Sequence, residues 1–160
     1  MIIRPAVSKD NEFILDIFME VAAAGETFAL PRDLSREEAL EFWCGAGNTV
    51  FVGEEGGQIV GSYFLKPNQA GPGNHVANAG YIVASLERGK HFGRTLAEHS
   101  IAEARRLGFR AMQFNFVIST NRSAVRLWTQ LGFRIVGTLP GVFQHPAQGY
   151  VDAHVMFMEL

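Results

Sequence analysis

Several things are scarce in this chain. It has one cysteine, Cys44, which excludes an internal disulfide and fits a reducing compartment. Net charge is low as well: 14 Lys and Arg against 16 Asp and Glu leave −2, without the basic excess that nucleic-acid binding draws on. No apolar run approaches the roughly 20 residues of a membrane span. Met1-Ile2-Ile3-Arg4-Pro5 lacks the basic-then-apolar order of a secretory leader. The histidines His75, His91, His99, His145 and His154 show no metal-ligand spacing, so no metal is expected. There is no internal repeat, low-complexity block or acidic run. The expectation is one soluble cytoplasmic domain over residues 1–160, with neither nucleic acid nor membrane as a partner.

Hydrophobic residues make up 48% of the chain and charged ones 19%, enough to build a core and too apolar for disorder. Ile2 to Ala6 reads as a short strand. Asp10 is a candidate cap for a helix whose apolar positions Phe13, Ile14, Ile17, Phe18 and Val21 recur at helical spacing. Ser35 with Glu38 forms a capping box for a second helix to about Cys44. Thr49–Val52 and Ile59–Leu65 flank Gly56-Gly57 as a hairpin. A strand from His75 to about Ala84 follows, then a helix to about Leu107 with Gly108 as its C′ residue. Ala111–Ile118 is the next strand. Thr120 or Asn121 caps a helix bearing Ala124, Leu127, Trp128 and Leu131, which Gly132 ends. Phe133–Val136 reads as a short strand, Gly137–Gly149 as a loop, and Tyr150–Leu160 as the closing strand. This order implies a mixed α/β domain with a helix crossover between the fourth and fifth strands.

The richest stretch is Glu87-Arg88-Gly89-Lys90-His91-Phe92-Gly93-Arg94-Thr95-Leu96. A glycine-bearing turn that opens a helix leaves several N–H groups unpaired and pointing one way. With the positive end of the helix dipole they suit a phosphate. Arg88, Lys90 and Arg94 add charge. The pyrophosphate of a large cofactor is the most economical ligand. A nucleotide-phosphate loop of the Gly-Lys-Ser/Thr kind ranks last, because that ending is missing.

At these residues the chain resembles the Gcn5-related N-acetyltransferases (GNAT). Their pyrophosphate motif is Arg or Gln, two residues, Gly, one residue, Gly or Ala. Arg88 and Gly93 match, and His91 stands at the first glycine. A positive φ there costs a non-glycine residue about 1 kcal/mol. Asn121-Arg122-Ser123-Ala124-Val125-Arg126-Leu127-Trp128 through Gly132-Phe133 matches the family's Asn-Ala-Leu-Tyr-Gly-Phe pattern except at the tyrosine, which is Trp128 here. Indole is a hydrogen-bond donor only, so the family's general-acid role does not carry to that position. Lys66-Pro67-Asn68-Gln69, His75 to Val83, Phe109 to Asn115, Gly137-Thr138-Leu139-Pro140-Gly141, His145-Pro146 and Gly149 to Ala153 resemble most the yeast proline-analogue acetyltransferases, which act on azetidine-2-carboxylate and related imino acids.

The resemblance implies a single-domain GNAT fold: a mixed, mostly antiparallel sheet of about seven strands, helices on both faces, and a V-shaped splay between strands 4 and 5. It implies acetyl-CoA as acetyl donor, direct transfer to a small amine in a ternary complex, and a homodimer. The turn Arg88, Gly89, Lys90, His91, Phe92, Gly93, Arg94 and Thr95 would hold the pyrophosphate. Tyr81, Ile82 and Val83 would hold the acetyl and pantetheine portions, with the Tyr81 backbone N–H as oxyanion donor. Asn121 would lie by the sulfur, a role compatible with capping its helix. Asn78, with the backbone N–H groups of Asn115 and Phe116, would bind an acceptor carboxylate. As residues, Asn78 and Asn115 are short amides on apolar strands that need partners when buried, and an interstrand hydrogen bond is the other use for them. Glu26, Asp152 and His154 are candidate bases, and none stands out. Phe28, Leu30, Phe143 and Tyr150 are candidates for an apolar wall or for plain packing, and Cys44 is expected to be a structural thiol. Other small amines as acceptors, and a non-catalytic acyl-CoA-binding module, stay open at the level of sequence.

Overall fold

The computed structural model describes all 160 residues. Its elements run β1 (Ile2–Pro5), α1 (Asn11–Ala24), α2 (Arg36–Cys44), β2 (Thr49–Glu55), β3 (Gln58–Pro67), β4 (Val76–Val83), α3 (Phe92–Arg106), β5 (Ala111–Ile118), α4 (Arg122–Gln130), β6 (Arg134–His145) and β7 (Gly149–Glu159). The strands form one seven-stranded sheet in the order β1-β2-β3-β4-β5-β7-β6. Only β4 and β5 are parallel, as the intervening α3 crossover requires. Their ladder is short. Val76 pairs with Ala111 and Ala77 with Met112, and there the pairing stops. Beyond that point the two strands diverge into the expected splay.

The helices divide between the two faces. One core gathers α3 and α4 residues (Leu96, Ala97, Ile101, Ala104, Trp128) over Tyr63, Leu65, Met112 and Phe114. The other gathers α1 and α2 residues (Ile14, Phe18, Val21, Trp43) over Val52, Phe64 and Ile82. Alternate residues of each strand serve alternate cores. Trp43 Nε1 donates to Ser62 Oγ at 3.0 Å, which satisfies the polar atom of a fully buried indole.

Local chemistry explains most element boundaries. Ser35 accepts from Glu38 N, and Glu38 returns a bond to Ser35 N, so the capping box is formed. Gly56 and Gly57 both have positive φ, 58° and 81°, which a two-residue hairpin of this hand needs. Gly108 and Gly132, at φ 85° and 102°, follow the ends of α3 and α4.

Three expectations are corrected. Asp10 does not cap α1 with its side chain. Its buried carboxylate instead accepts from Arg4 Nη1 (2.7 Å), Arg4 Nη2 (3.0 Å) and Val7 N (2.8 Å), which holds it below the usual carboxylate range. Phe13 is 59% exposed, off the buried stripe of α1. The stretch Gly137–Gly149 is largely strand rather than loop, because β6 continues to His145 as a long hairpin arm against β7. Gly137, Pro140 and Gly141 read as breakers. Two register shifts, between Ile135 and Gly137 and between Leu139 and Phe143, absorb them without ending the strand.

Candidate active site

The turn after β4 leaves a row of backbone donors free at the start of α3. Arg88 is extended (φ −64°, ψ 148°), Gly89 has φ 82°, and His91 sits at φ 65°, ψ 5° as the residue before α3. His91 is the chain's one non-glycine residue at positive φ. The strain expected of it is therefore present. Glu87 N and Arg88 N bond back to Ala84 and Ser85, and Thr95 N bonds to His91 O. Between them, the consecutive N–H groups of Gly89, Lys90, His91, Phe92, Gly93 and Arg94 donate to no acceptor in the chain. They lie at the positive end of a 15-residue helix. A Cβ added at Gly93 would meet only Val83 Cγ2, at 3.9 Å. Internal packing therefore does not require glycine at this position. The space above it suits close approach of a ligand's phosphate.

The side chains of the turn are less uniform than its backbone. Lys90 pairs with Glu87 at 2.9 Å. Arg94 reaches Glu98 at 3.3 Å and Gln130 of α4, clamping the start of α3 to the neighbouring helix. Thr95 Oγ1 donates to His91 O at 3.3 Å. Arg88 makes no ion pair and is the free cation of the set.

Along β4 the backbone groups alternate in direction. Val76 O accepts from Asn68 N, and Ala84 N donates to Val60 O, so even-numbered residues face β3. Odd-numbered ones face β5, as the bond from Arg110 N to His75 O shows. Tyr81 and Val83 therefore turn their N–H and C=O groups into the splay, beyond the last β4–β5 pair. Ile82 turns its backbone to β3 and buries its side chain in the α1–α2 core. The Tyr81 side chain is fully engaged. Its hydroxyl bonds to Ser100 Oγ at 2.7 Å, and its ring packs 4.8 Å from that of Trp128. Burial raises its hydroxyl well above the ordinary phenol range, so it stays protonated. Beside it, Tyr63 bonds to His99 Nδ1 at 2.7 Å, and burial lowers the pKa of His99.

Asn121 caps α4 and keeps a donor in reserve. Its Oδ1 accepts from Ala124 N (3.2 Å) and Ser123 Oγ (3.0 Å), whereas its Nδ2 has no partner in the chain. Trp128 is buried between Tyr81, Phe114 and Phe133, with ring centroids at 4.8, 4.7 and 5.8 Å. It fills the position of the family tyrosine as packing.

On the α1–α2 face an amide network crosses the splay. Asn78 Nδ2 donates to Gln113 O at 2.9 Å, bridging β4 to β5 beyond their last ladder pair. Gln113 Nε2 donates to Asn115 Oδ1 at 2.9 Å, and Asn115 Nδ2 donates to Asn68 Oδ1 at 2.7 Å. The interstrand use of Asn78 is thus realised. Asn68 and Gln113 join the site unforeseen. Gln113 shares strand parity with Asn115 on β5, which was the available signal, whereas Asn68 lies just past the end of β3. The β5–β7 ladder shifts register between Phe114 and Val117, across Asn115 and Phe116. Phe116 lies 6.4 Å, ring to ring, from buried Phe143.

The other candidates fall outside this constellation. Asp152 accepts from Gly141 N at 2.9 Å and His154 bonds to Thr138 Oγ1 at 2.9 Å, so both are tied to β6. Glu26 is exposed just past α1. Phe28 packs with Phe18, Phe42 and Trp43. Tyr150 is 75% exposed and forms no wall. Burial raises the Cys44 thiol, leaving it less ionised than a free cysteine.

A sheet splayed between β4 and β5, with free backbone donors at the start of α3, suits an acyl-cofactor transferase. The chain matches the acetyltransferase (GNAT) family model over residues 14–133 and belongs to that family of acetyl-CoA-dependent N-acetyltransferases. It is similar to a GCN5-related N-acetyltransferase from Kribbella flavida, with 44% identity and a TM-score of 0.94 covering 99% of this chain and 97% of that one. It is also similar to yncA from Salmonella typhimurium, solved with its cofactor acetyl-CoA (26% identity, TM-score 0.87, 100% and 94% coverage). The N-acetyltransferase aca1 of Schizosaccharomyces pombe is 29% identical over 148 residues, which cover 82% of this chain and 71% of that protein.

Proposed function

We propose that residues 1–160 act as a single cytoplasmic N-acetyltransferase domain that acetylates the ring nitrogen of a small imino acid. The proposed substrates are proline analogues such as azetidine-2-carboxylate or hydroxyproline. The observation that carries the cofactor half is the run of free N–H groups from Gly89 to Arg94 at the start of α3, with Arg88 beside it. Acetyl-CoA bound there supplies the acetyl group as a thioester. The Tyr81 N–H, turned into the splay, is placed to donate to the oxyanion that develops at the thioester carbonyl. Val83 offers backbone groups to the pantetheine arm. Asn121 Nδ2 is the free donor for the departing thiolate, while its Oδ1 continues to cap α4. The imino acid reacts as the neutral amine, and the N–H proton it loses on forming the amide ends on the departing sulfur as thiol; catalysis then rests on positioning and fixed dipoles.

The acceptor half is supported by the amide network of Asn78, Gln113, Asn115 and Asn68 on the opposite face of the sheet. It is supported too by the break in the β5–β7 ladder at Asn115 and Phe116, whose N–H groups are assigned to the acceptor carboxylate. The resemblance of the segments around these residues to the yeast proline-analogue enzymes supports this substrate class. A homodimer belongs to the same proposal. The edge strand β6 exposes Ile135, Val136, Leu139 and Val142, an apolar row that a second copy would cover. Sedimentation is expected to give twice the 17.6 kDa chain mass, and a monomer would remove the dimer alone.

The test is thiol release from acetyl-CoA by purified protein across cyclic imino acids, primary amino acids and polyamines. Release that depends on azetidine-2-carboxylate or hydroxyproline is the expected result. Release with another amine discards the substrate and keeps the chemistry. Tight acetyl-CoA binding without turnover on any amine would instead favour a binding module.

A further inference from the structure

On the acceptor face, Lys66 is a cation without an ion-pair partner. Lys66 stands on β3 directly opposite Asn78 in the β3–β4 register. It shares its face with Ser62 and Phe64, the side of α1 and α2. It makes no ion pair. Its ammonium lies 5.6 Å from the centroid of the Phe64 ring. That ring in turn covers Gly80, where an added Cβ would sit 2.5 Å from Phe64 Cε1. Gly80 is the neighbour of Tyr81. Lys66 therefore stands at the level of Asn78, with its ammonium near the ring that covers Gly80. It also lines a cavity of about 490 Å³ together with Phe42, Asn48 and Asn68. The other charged group on that lining, Glu41, is exposed on α2 and does not pair with Lys66.

A carboxylate that leaves water for such a floor needs a counter-charge or several free donors. The neutral donors here are partly committed: Asn78 Nδ2 to Gln113 O, and Asn115 Nδ2 to Asn68 Oδ1. An ammonium held over an aromatic face, half-buried and unpaired, is the missing group. We propose that Lys66 is the counter-ion of the acceptor carboxylate and so sets the substrate class. The chain takes amines that carry an acid group beside the reacting nitrogen and rejects carboxylate-free amines. This deepens the imino-acid reading above and rests on it.

The test compares full-length wild type, Lys66→Met and Lys66→Arg with azetidine-2-carboxylate and with its carboxamide. Lys66→Met is expected to raise KM for the acid roughly tenfold or more, as for a lost charge-assisted hydrogen bond. Its kcat, its acetyl-CoA affinity and its KM for the carboxamide should stay near wild type, and Lys66→Arg should recover most of the loss. A packing role would instead move acid and carboxamide together, and that result overturns the proposal. Calorimetric titration of azetidine-2-carboxylate into CoA-saturated protein gives the same contrast without turnover. Equal binding by wild type and Lys66→Met, or no binding by either, also overturns it. Wild type that uses the imino acid while Lys66→Met keeps the same KM removes Lys66 alone. If wild type prefers a different carboxylate-bearing amine and Lys66→Met raises KM for it, Lys66 stands and only the proline-analogue substrate falls. Wild type that turns over only carboxylate-free amines removes both.

Discussion

The two sides of the splayed sheet are built from different materials. The cofactor side is backbone: consecutive N–H groups at the start of α3 and the alternating amides of β4 that face the V. These donors are fixed by the path of the chain and stay free because nothing inside the protein reaches them. The proposed acceptor side is largely side chain: Asn78, Gln113, Asn115 and Asn68 bond to one another or to backbone, beside the N–H groups of Asn115 and Phe116. Those groups must trade partners to receive a substrate. The cofactor site is therefore preorganised and tolerant of side-chain identity. The proposed acceptor site is adaptable, and on this reading its specificity would turn on single residues.

Asn121 provides the sharpest test of this contrast, because its two amide ends do different jobs. Asn121→Asp keeps the capping oxygen and removes the free donor. Turnover should fall about 10²-fold, the scale of a lost oxyanion-type donor, while thermal stability holds, since Asp caps as well as Asn. Asn121→Ala should add a loss of about 1 kcal/mol in stability. Kinetics and a melting curve on the pair separate the roles, and unchanged turnover in Asn121→Asp would take Asn121 out of the chemistry.

Two glycines sharpen the comparison next. Gly93→Ala should weaken acetyl-CoA binding about tenfold at unchanged or slightly raised stability, because the added methyl meets only Val83 and alanine favours helix. Gly80→Ala should do the reverse, costing about 1–3 kcal/mol of stability by overpacking against Phe64 and sparing cofactor affinity. Calorimetric titration with acetyl-CoA beside thermal melts reads both.

The smallest effect concerns His91. His91→Gly removes the left-handed strain and should stabilise the protein by up to about 1 kcal/mol, or roughly 2–4 °C in Tm. Acetyl-CoA should still bind, since the donor at this position is a backbone N–H. A large affinity change would show that the imidazole itself matters.

This division of materials also explains what the sequence disclosed. The cofactor turn was legible because glycines and a helix start are local signals, and the strain at His91 followed from its place in the motif. The capping box at Ser35 and Glu38, the Gly56-Gly57 hairpin and the element order were legible for the same reason. The acceptor network was only half legible. Asn78 and Asn115 stood out as amides on apolar strands. Their partners Gln113 and Asn68 depend on which strands become neighbours, and that is a property of the sheet. Asp10 showed the same limit, because its carboxylate found Arg4 before it could serve α1. The long β6 was hidden because Gly137, Pro140 and Gly141 look like loop, whereas pairing to β7 carries the strand through two bulges.

The parallel ladder of β4 and β5 has only two residue pairs. Around that short seam the sheet resembles a book on a narrow spine, with β1–β4 as one cover and β5–β7 as the other. A molecule lying in the V and bonding to both margins does the work of a missing strand. Its binding is then part of the protein's cohesion, and resistance to unfolding grows with the logarithm of its free concentration above Kd. The melting temperature of this chain should therefore climb with the concentration of acetyl-CoA, and the two-pair seam is where that gain would be felt.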